Sequence, residues 1–219
     1  MPLVYQQNIN ESTRLGVWHI GEAETFFLSK VPVKKEITHL HKRLQHLAGR
    51  YLLKELFEDF PLELVEIADT RKPFLANEAF HFSISHCGDY AAVIVSRSNR
   101  VGVDIEIISE KAGRITDKFL SGEEQYLLNE VIQIQHLILK VPHSMLHPQL
   151  LTCAWSIKEA MFKWHGLGGI DFRKHLRIDH LEVQSNEVLA TCSFLKVQIE
   201  RLKVHGLYFG NNILTWTVS

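Results

Sequence analysis

Val101-Gly102-Val103-Asp104-Ile105-Glu106-Ile107 is the stretch on which the fold turns. Side chains alternate between the two faces of a strand. Val101, Val103, Ile105 and Ile107 therefore point into a core, while Gly102, Asp104 and Glu106 share the opposite face. Neighbouring carboxylates repel unless a cation sits with them. A second stretch, Trp155-Ser156-Ile157-Lys158-Glu159-Ala160-Met161-Phe162-Lys163, reads as helix. Glu159 and Lys163 stand one turn apart on one side of it. At about 100° per residue, Leu150, Ile157, Met161 and Trp164 form a core stripe. Trp155, Glu159, Phe162, Lys163 and Gly166 gather opposite, where two aromatic rings among charges suit the wall of a cleft. Taken singly, the Glu159–Lys163 pair reads equally as a surface ion pair, and Asp104 with Glu106 as the wet face of an edge strand. Together, three acids and a lysine on two rigid elements suit a divalent cation bound to a phosphorylated substrate. No GxxxxGK[ST] phosphate loop is present.

Outward from these stretches, residues 14–20 read as a strand and residues 37–57 as a long helix, with Leu40, Leu44, Leu47, Tyr51 and Leu52 at helical spacing. Thr38 or a nearby polar residue is a candidate cap, and Pro61 lies past the end. Residues 80–85 and 90–96 read as strands around a turn at His86–Asp89. Ser121 and Glu124 have the capping-box pattern and open a helix to about Leu139. Pro142 and Pro148 bracket a loop, and the second motif's helix spans about Gln149 to His165. From Leu176 onward the chain is strand-like. This order predicts an α+β protein of two lobes, residues 1–100 and 101–219.

The 219 residues are 46% hydrophobic and 22% charged, as in an ordinary folded chain. A formal net charge of -1 gives no basic field to recruit nucleic acid. Three cysteines without CxxC spacing argue against a disulfide framework or a zinc knuckle, so a reducing cytoplasm is expected. The first residues lack the pattern of a signal peptide, and no apolar run approaches the roughly 20 residues of a membrane span. A two-lobed chain supplies its own cleft, so a monomer is expected.

GVDIE followed by WSIKEAMFK resembles the signature of the 4′-phosphopantetheinyl transferases. Further pieces agree: Leu47-Ala48-Gly49-Arg50, Arg71-Lys72-Pro73, Phe82-Ser83-Ile84-Ser85-His86, and Lys118-Phe119-Leu120-Ser121 with Glu124. The chain's length is similar to that of the larger, surfactin-synthetase-activator-like subgroup. The resemblance implies two similar lobes in a pseudo-twofold arrangement and transfer of the 4′-phosphopantetheine arm of coenzyme A to a serine of an apo acyl or peptidyl carrier protein. Adenosine 3′,5′-bisphosphate would be released.

By the same resemblance, Asp104, Glu106 and Glu159 would hold Mg²⁺, or Mn²⁺ in its place, on the coenzyme A diphosphate. Glu159, or a water, would take the proton of the carrier serine, and Lys163 would act at the phosphate. Arg43, Arg50, Lys72, Ser85, His86 and Lys163 would contact coenzyme A, the first lobe gripping the nucleotide and the second carrying metal and catalysis. Lys111, Arg114 and Lys118, with Phe119 and Leu120, would offer a basic and apolar stripe to an acidic carrier. Two departures stand out: Cys87, where many relatives carry serine, and Ile105, where some short relatives use a polar residue, so only two ligands come from this strand. The competing readings are a non-catalytic coenzyme A or nucleotide-binding module of the same fold, and a metal-dependent phosphohydrolase.

Overall fold

The structure is a computed structural model that describes residues 2–32 and 37–219. Its first half holds β1 (Leu3–Asn10), β2 (Thr13–His19), α1 (Glu24–Leu28), α2 (Leu40–Leu56), β3 (Val65–Ile67), β4 (Pro73–Leu75), β5 (His81–Cys87) and β6 (Tyr90–Ser96). The second holds β7 (Val101–Ile107), α3 (Thr116–Phe119), α4 (Gly122–Leu139), α5 (His143–His165) and α6 (Phe172–His175). It ends with β8 (Leu176–Gln184), β9 (Glu187–Phe194), β10 (Glu200–Phe209) and β11 (Asn212–Val218). One sheet runs β1-β2-β6-β5 and another β7-β11-β10-β9-β8, while β3 pairs with β4. Every pairing is antiparallel, which makes this an α+β fold rather than a doubly wound one.

Alternation along the strands builds three apolar clusters. On β6, Ala91, Val93 and Val95 lie beneath Leu47, Ala48 and Leu52 of α2. Ala92 and Ile94, on its other face, join Leu15 and Val17 of β2. These meet Val101, Val103 and Ile105 of β7 and Leu214 and Trp216 of β11, so one cluster joins the two sheets. The third cluster packs α4 and α5 over the strands of the second sheet, through Leu128, Ile157, Met161 and Trp164 against Ile178, Ala190 and Val204. Ile107, expected in the core, is 39% exposed at the end of its strand.

Several elements differ from the sequence reading. The His86–Cys87 pair belongs to β5, and the turn shrinks to Gly88-Asp89, with Cys87 paired to Tyr90 and Gly88 at φ 53°. A two-residue hairpin of this kind needs a left-handed residue, which glycine supplies. α2 begins at Leu40, and His39 rather than Thr38 caps it by accepting from the Lys42 amide. α5 begins at His143 and carries Pro148 inside it. Proline there removes one hydrogen bond close to the helix start, where Ser144 is exposed and water can satisfy the freed carbonyl.

Candidate active site

β7 and α5 meet where a residue has no side chain. A Cβ on Gly102 would lie 2.0 Å from the Ala160 carbonyl oxygen and 2.7 Å from the Trp164 amide nitrogen. Glycine thus lets α5 lie on the backbone of β7. That approach brings Lys163 onto Asp104, two residues further along the same face of the strand. Asp104 is 3% exposed. Its Oδ1 accepts from Lys163 Nζ at 2.6 Å and from Ser85 Oγ at 2.8 Å. Its Oδ2 is buried and finds no hydrogen-bond partner among the described residues.

Glu106 accepts from Trp155 Nε1 at 3.3 Å on one oxygen and from Cys87 Sγ at 3.6 Å on the other. Burial, then the charge of Asp104, pushes its pKa up. Burial and then Asp104 push Glu159 up to about 7, with Glu106 adding to the shift and Lys163 opposing it. Each of these acids thus feels the charge of its neighbours. Glu159 accepts no hydrogen bond from any described residue, which leaves its oxygens open to a ligand. Among the described residues, no three acidic, imidazole or thiol side chains stand in a ready-formed metal cage. The Lys163 ammonium occupies the Asp104 oxygen that faces the helix, which gives the acids a counter-charge of their own.

Lys163 also donates to Ser85 Oγ at 2.8 Å. Lys72 donates to the Lys163 carbonyl, which ties the Arg71-Lys72-Pro73 segment to α5. Burial, then Arg100, brings the Lys72 ammonium down to about 8. A cavity of about 200 Å³ opens between them, walled by Arg71, Lys72, Pro73, Ser83, Phe162 and Lys163. His86 sits exposed on β5, with its pKa lowered by partial desolvation among its neighbours and by the Lys163 charge.

The remaining expected coenzyme A contacts have other commitments. Ser85 is buried, and its hydroxyl donates to Asp104 while accepting from Lys163 and from the Ile105 amide at 3.3 Å. It supports the acid instead of facing a nucleotide. Arg43 forms a two-pronged ion pair with Glu24 and donates to the Ile37 carbonyl at 2.7 Å. Arg50 meets His46 Nδ1 at 3.0 Å within α2. Arg114 and Lys118 are exposed, but Phe119 and Leu120 are 0% exposed. The apolar half of the expected docking stripe is therefore core: Phe119 turns inward to meet Trp155 edge-on, with ring centroids 5.3 Å apart.

Lys158 had no role in the sequence reading, yet it is 0% exposed. Its ammonium pairs with Glu124 at 2.7 Å and donates to the carbonyls of Phe119 and Phe172. Burial pushes its pKa down while Glu124 pulls it back. Glu124 also closes the capping box with Ser121 and accepts from the Ile178 amide at 2.9 Å. One buried pair thus pins α3, α4, α6 and β8 to the helix residue beside Glu159. Trp155, expected on the cleft wall, takes a specific role there: stacked on Phe172 at 24°, it aims its indole N–H at Glu106. A lysine within a core-spaced helix, matched to the glutamate of a capping box, is the available signal for Lys158, and the helix face shared with Glu159 and Lys163 is the signal for Trp155.

Residues 100–215 match the family model of the 4′-phosphopantetheinyl transferase superfamily. The chain is 26% identical over 185 residues to 4′-phosphopantetheinyl transferase AcpT of Escherichia coli (strain K12), a match covering 80% of this chain and 88% of that one. It is 28% identical over 182 residues to enterobactin synthase component D of Salmonella typhi, covering 80% and 70% respectively. Against component D of Escherichia coli (strain K12) the identity is 30% over 125 residues, covering 56% of this chain and 54% of that one.

Proposed function

The chain belongs to the 4′-phosphopantetheinyl transferase superfamily, and from that premise we propose how its cleft moves the phosphopantetheine arm of coenzyme A onto a carrier protein. The chain is a transferase of this type; the residue roles, the metal and the choice of carrier are the proposal. Asp104, Glu106 and Glu159 hold Mg²⁺, with Mn²⁺ a chemical substitute. The observation that carries this is the buried, unpartnered Oδ2 of Asp104 beside two carboxylates whose pKa values are raised. Mg²⁺, when bound, would supply charge neutralisation of the acids and polarisation of the diphosphate.

The chain's own side chains do the rest. Lys163 places its ammonium at the phosphate and stabilises charge on the leaving oxygen. Glu159, directly or through a water, would take the proton of the carrier serine as the serine oxygen attacks phosphorus. The bond to the leaving phosphate then breaks, releasing adenosine 3′,5′-bisphosphate. Lys72 and His86 face the nucleotide from the first lobe, with the cavity beside Lys72 receiving it. Arg50, on α2 of the same lobe, adds positive charge toward the nucleotide, as does Arg43 behind its pair with Glu24. Residues 1–100 thus bind nucleotide, and residues 101–219 bind metal and catalyse.

Arg114 and Lys118, both exposed, meet an acidic carrier. The cleft needs no second copy, which supports a monomer. Among the described residues no helix is long and apolar enough to cross a membrane. Cys87, Cys153 and Cys192 are all unpaired, which supports a reducing cytoplasm.

The test is to mix the protein with coenzyme A, Mg²⁺ and a panel of apo carrier proteins, and to weigh the carriers. The expected result is one added phosphopantetheine on at least one carrier serine. Tight coenzyme A binding with no transfer would leave a binding module. Phosphopantetheine released to water without a carrier would indicate a phosphohydrolase.

A further inference from the structure

β5 and β7 are edge strands of different sheets, and they run side by side without a backbone ladder between them. An edge strand leaves alternate amides that must find partners. Here side chains provide them. Ser83 Oγ accepts from the Val103 amide at 3.1 Å, Ser85 Oγ from Ile105 at 3.3 Å, and Cys87 Sγ from Ile107 at 3.2 Å. Each acceptor lies two residues beyond the last, and so does each donor, so the strands are locked in one parallel register.

The upper rungs repeat a second contact. Ser85 accepts the Ile105 amide and donates to Asp104, the residue before it, at 2.8 Å. Cys87 accepts the Ile107 amide and reaches Glu106, the residue before that, at 3.6 Å. Cys87 thus stands to Glu106 as Ser85 stands to Asp104. This rung lies at the open end of the seam, where Ile107 is exposed.

We propose that Ser83, Ser85 and Cys87 form a side-chain seam that sets the position of the acidic strand against the first lobe, and that Cys87 is the positioning residue for Glu106. The seam carries the register; Trp155 holds the other Glu106 oxygen, so the carboxylate is fixed from both sides before any ligand arrives. The role of Cys87 toward the cation rests on the metal reading above, whereas the seam itself does not.

Cys87→Ala removes both contacts without adding bulk, and Cys87→Ser returns an acceptor and a donor. The readouts are exchange of the Ile107 amide in the metal-free protein, Mn²⁺ affinity without coenzyme A, and the division of Mg²⁺ dependence between half-saturation and kcat. In Cys87→Ala the Ile107 amide exchanges faster, and Mn²⁺ affinity falls about tenfold, as for loss of a group supporting a metal ligand. The Mg²⁺ half-saturation rises in step, and kcat at saturating Mg²⁺ changes less than about threefold. Cys87→Ser recovers both amide protection and affinity. Unchanged Ile107 exchange in Cys87→Ala overturns the seam. Unchanged Mn²⁺ affinity, or a fall in kcat at saturating Mg²⁺ without it, overturns the positioning role. If the unaltered protein binds no Mn²⁺, the metal reading falls, and Ile107 exchange still decides the seam.

Discussion

The two lobes each lay a long helix on a sheet, and each has an ion pair involving that helix, but the pairs sit in different surroundings. In the first lobe Arg43 of α2 meets Glu24, with both side chains about a quarter exposed. In the second, Lys158 of α5 meets Glu124 with neither in contact with water. The glycines differ in the same sense. A Cβ on Gly49 would meet the Cγ2 methyl of the Ile84 side chain at 2.7 Å, whereas one on Gly102 would strike the backbone of α5. The first lobe is a frame with tolerance. The second is fixed by groups that cannot give way, and the carboxylates lie where it is most rigid. Precise placement of acids on a shared ion requires such support.

The sharpest way to break this contrast is to compare activities. Asp104→Asn is expected to lower kcat in the transfer assay by on the order of 10³-fold while the fold survives. Arg50→Gln, on α2 of the first lobe, is expected to raise KM for coenzyme A about tenfold with kcat kept. Equal losses of kcat in both would erase the division of labour. Stability comes next. Lys158→Met strands Glu124 and is expected to cost about 3–5 kcal/mol in urea unfolding. Arg43→Met should cost about 1 kcal/mol or less, since its partner reaches water. Gly102→Ala should cost about 3 kcal/mol or more, and Gly49→Ala about 1–2 kcal/mol, because the Ile84 side chain can shift by a fraction of an ångström and a carbonyl in a helix cannot move by what Gly102 would need.

A pH dependence is also expected. The folded pKa of Glu159 is raised, to about 7, so the native state binds more protons than the unfolded chain between that value and the ordinary carboxyl range. Stability of the metal-free protein therefore falls as pH rises through this window. Relative to Glu159→Gln, the wild type should lose on the order of 2 kcal/mol between acid and neutral pH, discounted for partial solvent screening. Urea titrations across pH check this, and an identical profile in both proteins would contradict it.

How much could be read in the chain beforehand follows from what each residue faces. The Val-Gly-Val-Asp-Ile-Glu alternation was legible because one face of β7 is apolar core and the other polar. α5 was legible from its core stripe, though Pro148 hid its first turns. β1 was missed because it is an edge strand whose Gln6, Gln7 and Asn8 meet solvent, so no alternation marks it. His86-Cys87 looked like the start of a turn because Gly88 and Asp89 follow directly. The coupling of β5 to β7 had no local signature, since Ser83, Ser85 and Cys87 act on amides twenty positions away. The acids and Lys163 were found from motif and spacing; that Ser85 lies beneath them, and Phe119 inside the core, only packing could reveal.

The central claim is that Asp104, Glu106 and Glu159 serve one divalent ion. Mn²⁺ titration of the metal-free protein, followed by electron paramagnetic resonance, tests it without any turnover. One bound ion per chain in the wild type, with affinity lost at least about tenfold in Asp104→Asn, Glu106→Gln and Glu159→Gln alike, is the expected result. Wild-type affinity in any one of these variants would remove that residue from the site, and wild-type affinity in all of them would contradict the account.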